Sequence, residues 1–165
     1  RVIGGGAPLG LCGSGLVDAV AAGLELEWIH PSGRMANRTA MPLAGPVSLL
    51  AADVRELQLA KGAIAAGLRM LTAKLGVALE EIQELHLAGA FGNYISRASA
   101  QRIGLLRVPL NRVVPAGNAA LLGAKRALFE DATAWDTIAR QVEHVALNED
   151  TAFHDIYAEE MRFPG

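Results

Sequence analysis

Three short runs carry the residue types that could hold a phosphate or a base. They are Gly10-Leu11-Cys12-Gly13-Ser14-Gly15, Gly89-Ala90-Phe91-Gly92-Asn93 and Ala116-Gly117-Asn118. Each stands where an extended run gives way to a helical pattern, and each includes Ser or Asn. Glycine lets the backbone approach an anion or an aromatic face with no Cβ in the way. In open α/β sheets, ligands sit at the carboxyl ends of strands, where loops and helix starts offer free amides. Tight turns alone also explain such glycines, so the runs leave both readings open.

The familiar signatures are missing. Gly13-Ser14-Gly15 lacks the third glycine of the dinucleotide fingerprint, because Asp18 takes its place. No lysine–serine pair follows a glycine run as in a P-loop. Cys12 stands where a nucleophile elbow needs its first glycine. His30, His86, His144 and His154 have no ligand spacing and read as surface or strand residues. Cys12 reads as a small packed residue beside a turn, the common fate of a free thiol.

The elements that must position these runs follow from periodicity. Leu16, Ala19, Val20 and Leu24 predict a helix over residues 13–27. Residues 28–50 carry Pro31, Gly33, Pro42, Gly45 and Pro46, which allow only turns and short strands. Residues 53–75 read as a long amphipathic helix with its apolar stripe on Leu57, Ala60, Ile64, Leu68, Leu71 and Leu75. Asp53 suits its positive end, and Gly76 its stop. Gly62 and Gly67 inside it each cost about 1 kcal/mol relative to alanine, which predicts a closely approaching neighbour.

Leu79–Ile82 reads as a helical turn, Glu84–Ala88 as a strand, and Ser96 as the cap of a helix reaching Gly104. Arg112–Pro115 is a second strand, followed by a helix over Ala119–Phe129 and another from a Thr133 cap to Gln141. Glu143–Leu147 is a candidate third strand, Asp150–Met161 a last helix, and Arg1-Val2-Ile3 a strand-like entry. Strands alternating with helices predict an α/β class with a mostly parallel sheet covered by helices.

Composition bounds the function. Of 165 residues, 52% are hydrophobic and only eight are aromatic, so the core must be aliphatic and tightly packed. A net charge of −2 offers no basic field for nucleic acid. The longest uncharged stretch, residues 2–17, carries six glycines and a proline, unlike a signal or spanning segment. One cysteine excludes a disulfide framework, and any iron–sulfur cluster built from this chain alone. The start at Arg1 reads as a piece of a longer protein.

Five blocks together resemble the C-terminal domain of the reductive activators of corrinoid proteins. They are residues 10–18, residues 56–64, Leu87-Ala88-Gly89-Ala90-Phe91-Gly92-Asn93-Tyr94, residues 103–106 and residues 117–124. Order and spacing match from about residue 2 to Phe163-Pro164, and the Ala-Gly-Ala-Phe-Gly-Asn block is the most specific.

The resemblance implies an actin-like ATPase fold, with residues 1–165 as its C-terminal, ribonuclease H-like lobe. It implies ATP with magnesium, and a [2Fe–2S] ferredoxin domain upstream of this chain. The parent would return Co(II) corrinoid protein of a methyltransfer system to Co(I), in the cytoplasm, as a homodimer. Neither nucleic acid nor membrane is expected as a partner. Gly89, Ala90, Phe91, Gly92 and Asn93 would form the adenosine loop. Gln58 and Lys61, at i and i+3 on one helix face, would touch ribose and base. Gly13, Ser14 and Gly15 would open a helix lining the cleft, and Gly117 and Asn118 would close it. No Asp-x-Gly motif is present to hold magnesium. Two alternatives remain: a non-catalytic docking or dimerisation domain, and an activator of a 2-hydroxyacyl-CoA dehydratase.

Overall fold

The computed structural model describes residues 2–36 and 39–165. Helix α1 spans Gly13–Glu25 and buries Ala19, Val20 and Leu24 of the expected stripe, with Val17 buried in place of Leu16. Strands β1 (Ala40–Ala44) and β2 (Val47–Leu50) form an antiparallel hairpin with Met41 opposite Leu49. The chain turns straight from β2 into α2 (Ala51–Lys74). There Asp53 Oδ2 accepts from the Leu50 amide at 2.8 Å, satisfying one donor that the helix start leaves free.

Helix α2 lies where its periodicity puts it, but it buries a different face. Val54, Leu57, Gln58, Lys61, Gly62, Ala65 and Ala66 are buried, whereas Ile64, Leu71 and Leu75 are exposed. Small residues decide this: a Cβ on Gly62 would lie 2.9 Å from Met161 Cγ and 3.2 Å from Tyr157 Cε2. The close neighbour that Gly62 implies is therefore α7 (Phe153–Glu160) and the residue after it.

Strand β3 (Leu85–Ala88) leads directly into α3 (Gly89–Tyr94), so the Gly89–Asn93 run is a short helix rather than a loop. Helix α4 (Arg97–Arg102) follows, with Ser96 Oγ accepting from the Ser99 amide as expected of a cap. Strand β4 (Val113–Gly117) pairs parallel with β3, Leu85 opposite Val113 and Ala88 opposite Gly117. Asn118 caps α5 (Ala119–Ala127), its Oδ1 accepting from Leu121 N at 3.1 Å. Helix α6 (Ala132–Gln141) is capped by Asp131, which accepts from the Thr133 amide; the cap predicted at Thr133 lies two residues too late.

The α/β class holds, and β3 with β4 supplies one parallel crossover unit. The larger covered sheet is absent among the described residues, where two separate two-stranded ribbons occur. Residues 143–146 are irregular, because no strand lies beside them to accept their ladder bonds. Arg1 lies outside the described residues, and Val2 and Ile3 form no strand. The core lies between α1, the hairpin, the start of α2 and the 95–108 segment, with Val20, Ile29, Leu49, Val54 and Ile103 almost wholly buried.

Candidate functional site

The two glycine turns that follow β3 and β4 meet because those strands are parallel neighbours. Ala88 pairs with Gly117, so Gly89 and Asn118 leave the same end of adjacent strands. Gly89 has φ +87° and Gly117 φ +64°, conformations that strain any L side chain. A Cβ at either would meet nothing within 4 Å. The left-handed backbone thus turns each strand into its helix and leaves open space beside the main chain. Backbone exposed in this way at the carboxyl end of a parallel pair can face a flat base or a sugar.

The first run joins them through Phe91. A Cβ on Gly13 would stand 3.1 Å from Phe91 Cε2, so the start of α1 rests against the ring projecting from α3. That ring also borders a cavity of about 280 Å³ with Ile64, Leu68, Leu85, Leu87 and Leu106. Ala90 and Asn93 are exposed, whereas a Cβ on Gly92 would meet Leu87 backbone at 3.2 Å, so Gly92 serves packing. Gly15 faces its own turn, 3.4 Å from Cys12 Sγ at the Cβ position. Asn118 spends its carbonyl oxygen on the α5 cap.

Cys12 corrects its sequence reading: the thiol is exposed. It is the N-cap of α1, 3.4 Å from both the Gly15 amide and Ser14 Oγ. The Ser14 hydroxyl, then the Gly15 N–H, hold it below the ordinary thiol range.

Gln58 and Lys61 also need correction. They share a face, but that face is closed. Lys61 is 1% exposed and Gln58 5%. Gln58 Nε2 donates to Ser32 O at 3.2 Å and Met161 O at 3.1 Å, and Lys61 Nζ to Arg162 O at 2.7 Å. Burial, opposed by Glu160 and aided by Arg107, brings Lys61 down to about 8. Their donors hold the carboxy-terminal segment, so neither can line an open adenosine edge in this arrangement. Nothing local in sequence announces this, since the partners lie 101 and 103 residues away.

A cavity of about 980 Å³ lies elsewhere, between α2 and residues 144–156. Glu149 and Asp150 line it, and its two cations are paired with carboxylates, Lys74 with Glu143 at 2.9 Å and Arg69 with Glu159 at 2.7 Å. Among the described residues, no group of three His, Cys, Asp or Glu is placed to hold a metal. No described helix is long and apolar enough to cross a membrane.

A family model described as the C-terminal domain of RACo, the ASKHA domain, matches residues 1–165. This chain belongs to that family. A curated relative, the corrinoid activation enzyme RamQ of Eubacterium limosum, is 34% identical across 94% of this chain and 31% of its own length. A second, the [Co(II) methylated amine-specific corrinoid protein] reductase of Methanosarcina barkeri, is 26% identical across 94% of this chain and 29% of its own. The solved structure of a reductive activator for corrinoid, iron–sulfur protein superposes with a TM-score of 0.84. Its identity is 29%, over 99% of this chain and 30% of that one. The chain therefore spans about three-tenths of the length of the relatives it matches.

Proposed function

We propose that this chain is the nucleotide-facing module of an ATP-dependent reductive activator that returns Co(II) corrinoid protein to Co(I). The observation that carries the reading is the convergence of Gly89 and Gly117, both left-handed and both open, at neighbouring parallel strand ends. The family match over the whole chain supports it. The backbone at Gly89–Ala90 and at Gly117 would face the adenosine, with Asn93 offering an exposed amide. Gly13–Gly15 would border the same end through Phe91. Gln58 and Lys61 have no direct part in it.

The donor set of this chain does not fit an iron–sulfur cluster: one cysteine cannot ligate [2Fe–2S]. In this reading the cluster, and the electron it passes on, would come from outside this chain. Bound nucleotide would act here by favouring one arrangement of the module over another, to the extent that its affinity for the two differs. The corrinoid protein of a methyltransfer system is the partner this reading requires, in the cytoplasm.

Gly89→Val tests the adenosine turn. Valine is strained at φ +87°, while a Cβ there meets nothing within 4 Å, so the fold should survive while the backbone turn distorts. In the intact parent, titration with Mg-ATP should show affinity lowered tenfold or more, with the circular dichroism spectrum unchanged. Equal affinity in both proteins would sink the assignment. A second reading, a docking or dimerisation domain, draws on α5 and α6. Leu121, Leu122 and Ile138 on these helices are exposed, as are Leu128 and Phe129 between them. Capture of a corrinoid protein with no response to ATP would favour it.

A further inference from the structure

The last turn of the chain is held by an unusual set of donors. Side chains from two helices reach three backbone carbonyls: Gln58 to Met161, Lys61 to Arg162, and Arg102 Nη1 to Pro164 at 3.0 Å. The Phe163 amide donates to Pro31 O at 2.9 Å, and the Phe163 ring is buried in the core. Space is cut closely around the ammonium: a Cβ on Gly104 would come within 3.2 Å of Lys61 Nζ.

Charge around this seat is unevenly balanced. Glu160, 2% exposed, accepts on Oε1 from Arg107 Nη1 at 2.8 Å and from Arg69 Nη1 at 3.3 Å. Its Oε2 is buried with no hydrogen-bond partner among the described residues. Arg69 further pairs with Glu159 at 2.7 Å. Lys61 pairs with no carboxylate among the described residues; its direct partner is the neutral Arg162 carbonyl, with the Phe163 ring centroid 5.9 Å away. A buried ammonium compensated mainly by dipoles, beside a carboxylate already shared by two guanidinium groups, is under-stabilised.

We propose that residues 160–164 form a pH-responsive clasp, seated on α2 and α4 by Gln58, Lys61 and Arg102, which tightens when Lys61 releases its proton to solvent. The neutral amine still donates to the Arg162 carbonyl, so the seat keeps its hydrogen bond and loses only the uncompensated charge. The ordinary lysine value is 10.5 and the seated one about 8. Between these the unseated or unfolded chain binds more protons than the seated one, so the clasp strengthens as pH rises through that window.

Trypsin reads the seat directly, because Arg162 sits inside it. In the full-length protein, cleavage after Arg162 is measured against cleavage after Arg126, in α5, at each pH. The ratio should fall about tenfold or more from pH 7.5 to 9.5. Lys61→Arg keeps a donor that does not titrate in this range; it should fold and give a flat profile. Lys61→Met should cleave faster after Arg162 and also lose the pH dependence. The same fall in Lys61→Arg as in the natural chain would overturn the proposal. So would cleavage after Arg162 unchanged in Lys61→Met with Mg-ATP affinity lowered, since Lys61 would then face the ligand.

Discussion

At the head of α1 a thiol takes the place that a serine or aspartate ordinarily fills, and the Gly15 amide points at sulfur. Two donors at one exposed thiol favour its anion, and the anion is the nucleophile. Cys12 should therefore react with iodoacetamide at pH 7.5 several-fold faster than a cysteine in an unfolded peptide of the same sequence. Ser14→Ala removes the larger cause and should recover most of the difference, read by mass spectrometry of the alkylated peptide. The sign follows from the depressed value: the advantage is greatest below the ordinary thiol range and vanishes above it. Cys12→Ser keeps a capping oxygen and should leave the thermal midpoint unchanged. The sequence shows the cysteine and its neighbours but not their direction, because exposure depends on what the preceding glycines leave uncovered.

Within α2, two glycines with the same sequence signal behave differently. A Cβ on Gly62 would meet Met161 and Tyr157 at 2.9–3.2 Å, with Met161 N among the contacts. Backbone cannot yield, so Gly62→Val should destabilise by about 1–3 kcal/mol in thermal denaturation. At Gly67 the nearest atom is Leu147 Cδ1 at 3.4 Å, ordinary contact. Gly67→Ala should therefore stabilise by about 0.5–1 kcal/mol through helix propensity alone. Element by element, the local signals were legible: the α1 stripe, the Ser96 cap, the strand pair 85–88 and 113–117, and the α5 start at Asn118. What stayed illegible depended on distant partners. The buried face of α2 is chosen by α7, about 100 residues on, which admits small side chains and two polar ones. The resemblance makes the Gly89–Asn93 run a loop, yet a single left-handed residue at Gly89 lets the next five follow helical geometry. The third strand at 143–147 failed for want of a partner.

For the whole molecule, burial is concentrated at one side. Helix α5 has no buried residue, and Leu122, Leu128 and Phe129 stand in solvent. Replacing Leu128 and Phe129 by serine should shift the stability of the chain by no more than about 0.5 kcal/mol per site, because little is uncovered. Denaturation by urea with light scattering beside it would show unchanged unfolding and reduced self-association. Of the candidate site, the turns at Gly89 and Gly117 were legible because each ends or follows a strand that the sequence marks. Gln58 and Lys61 do share one face of α2, but that face is buried against the carboxy-terminal segment.

The clasp also bears on the order of biosynthesis. Its bonds join residues 58 and 61 to residues 161 and 162, separations of 103 and 101. Contacts of such range must close long loops and are late events in folding. On the ribosome, α2 emerges long before the segment that covers it. Until residues 161–164 are free, Gln58 and Lys61 stay hydrated on an open helix face, while the α1 core and the hairpin can already assemble. The polar pair keeps that face wet and poorly adhesive during synthesis, where leucines in the same places would offer nascent chains a surface to stick to.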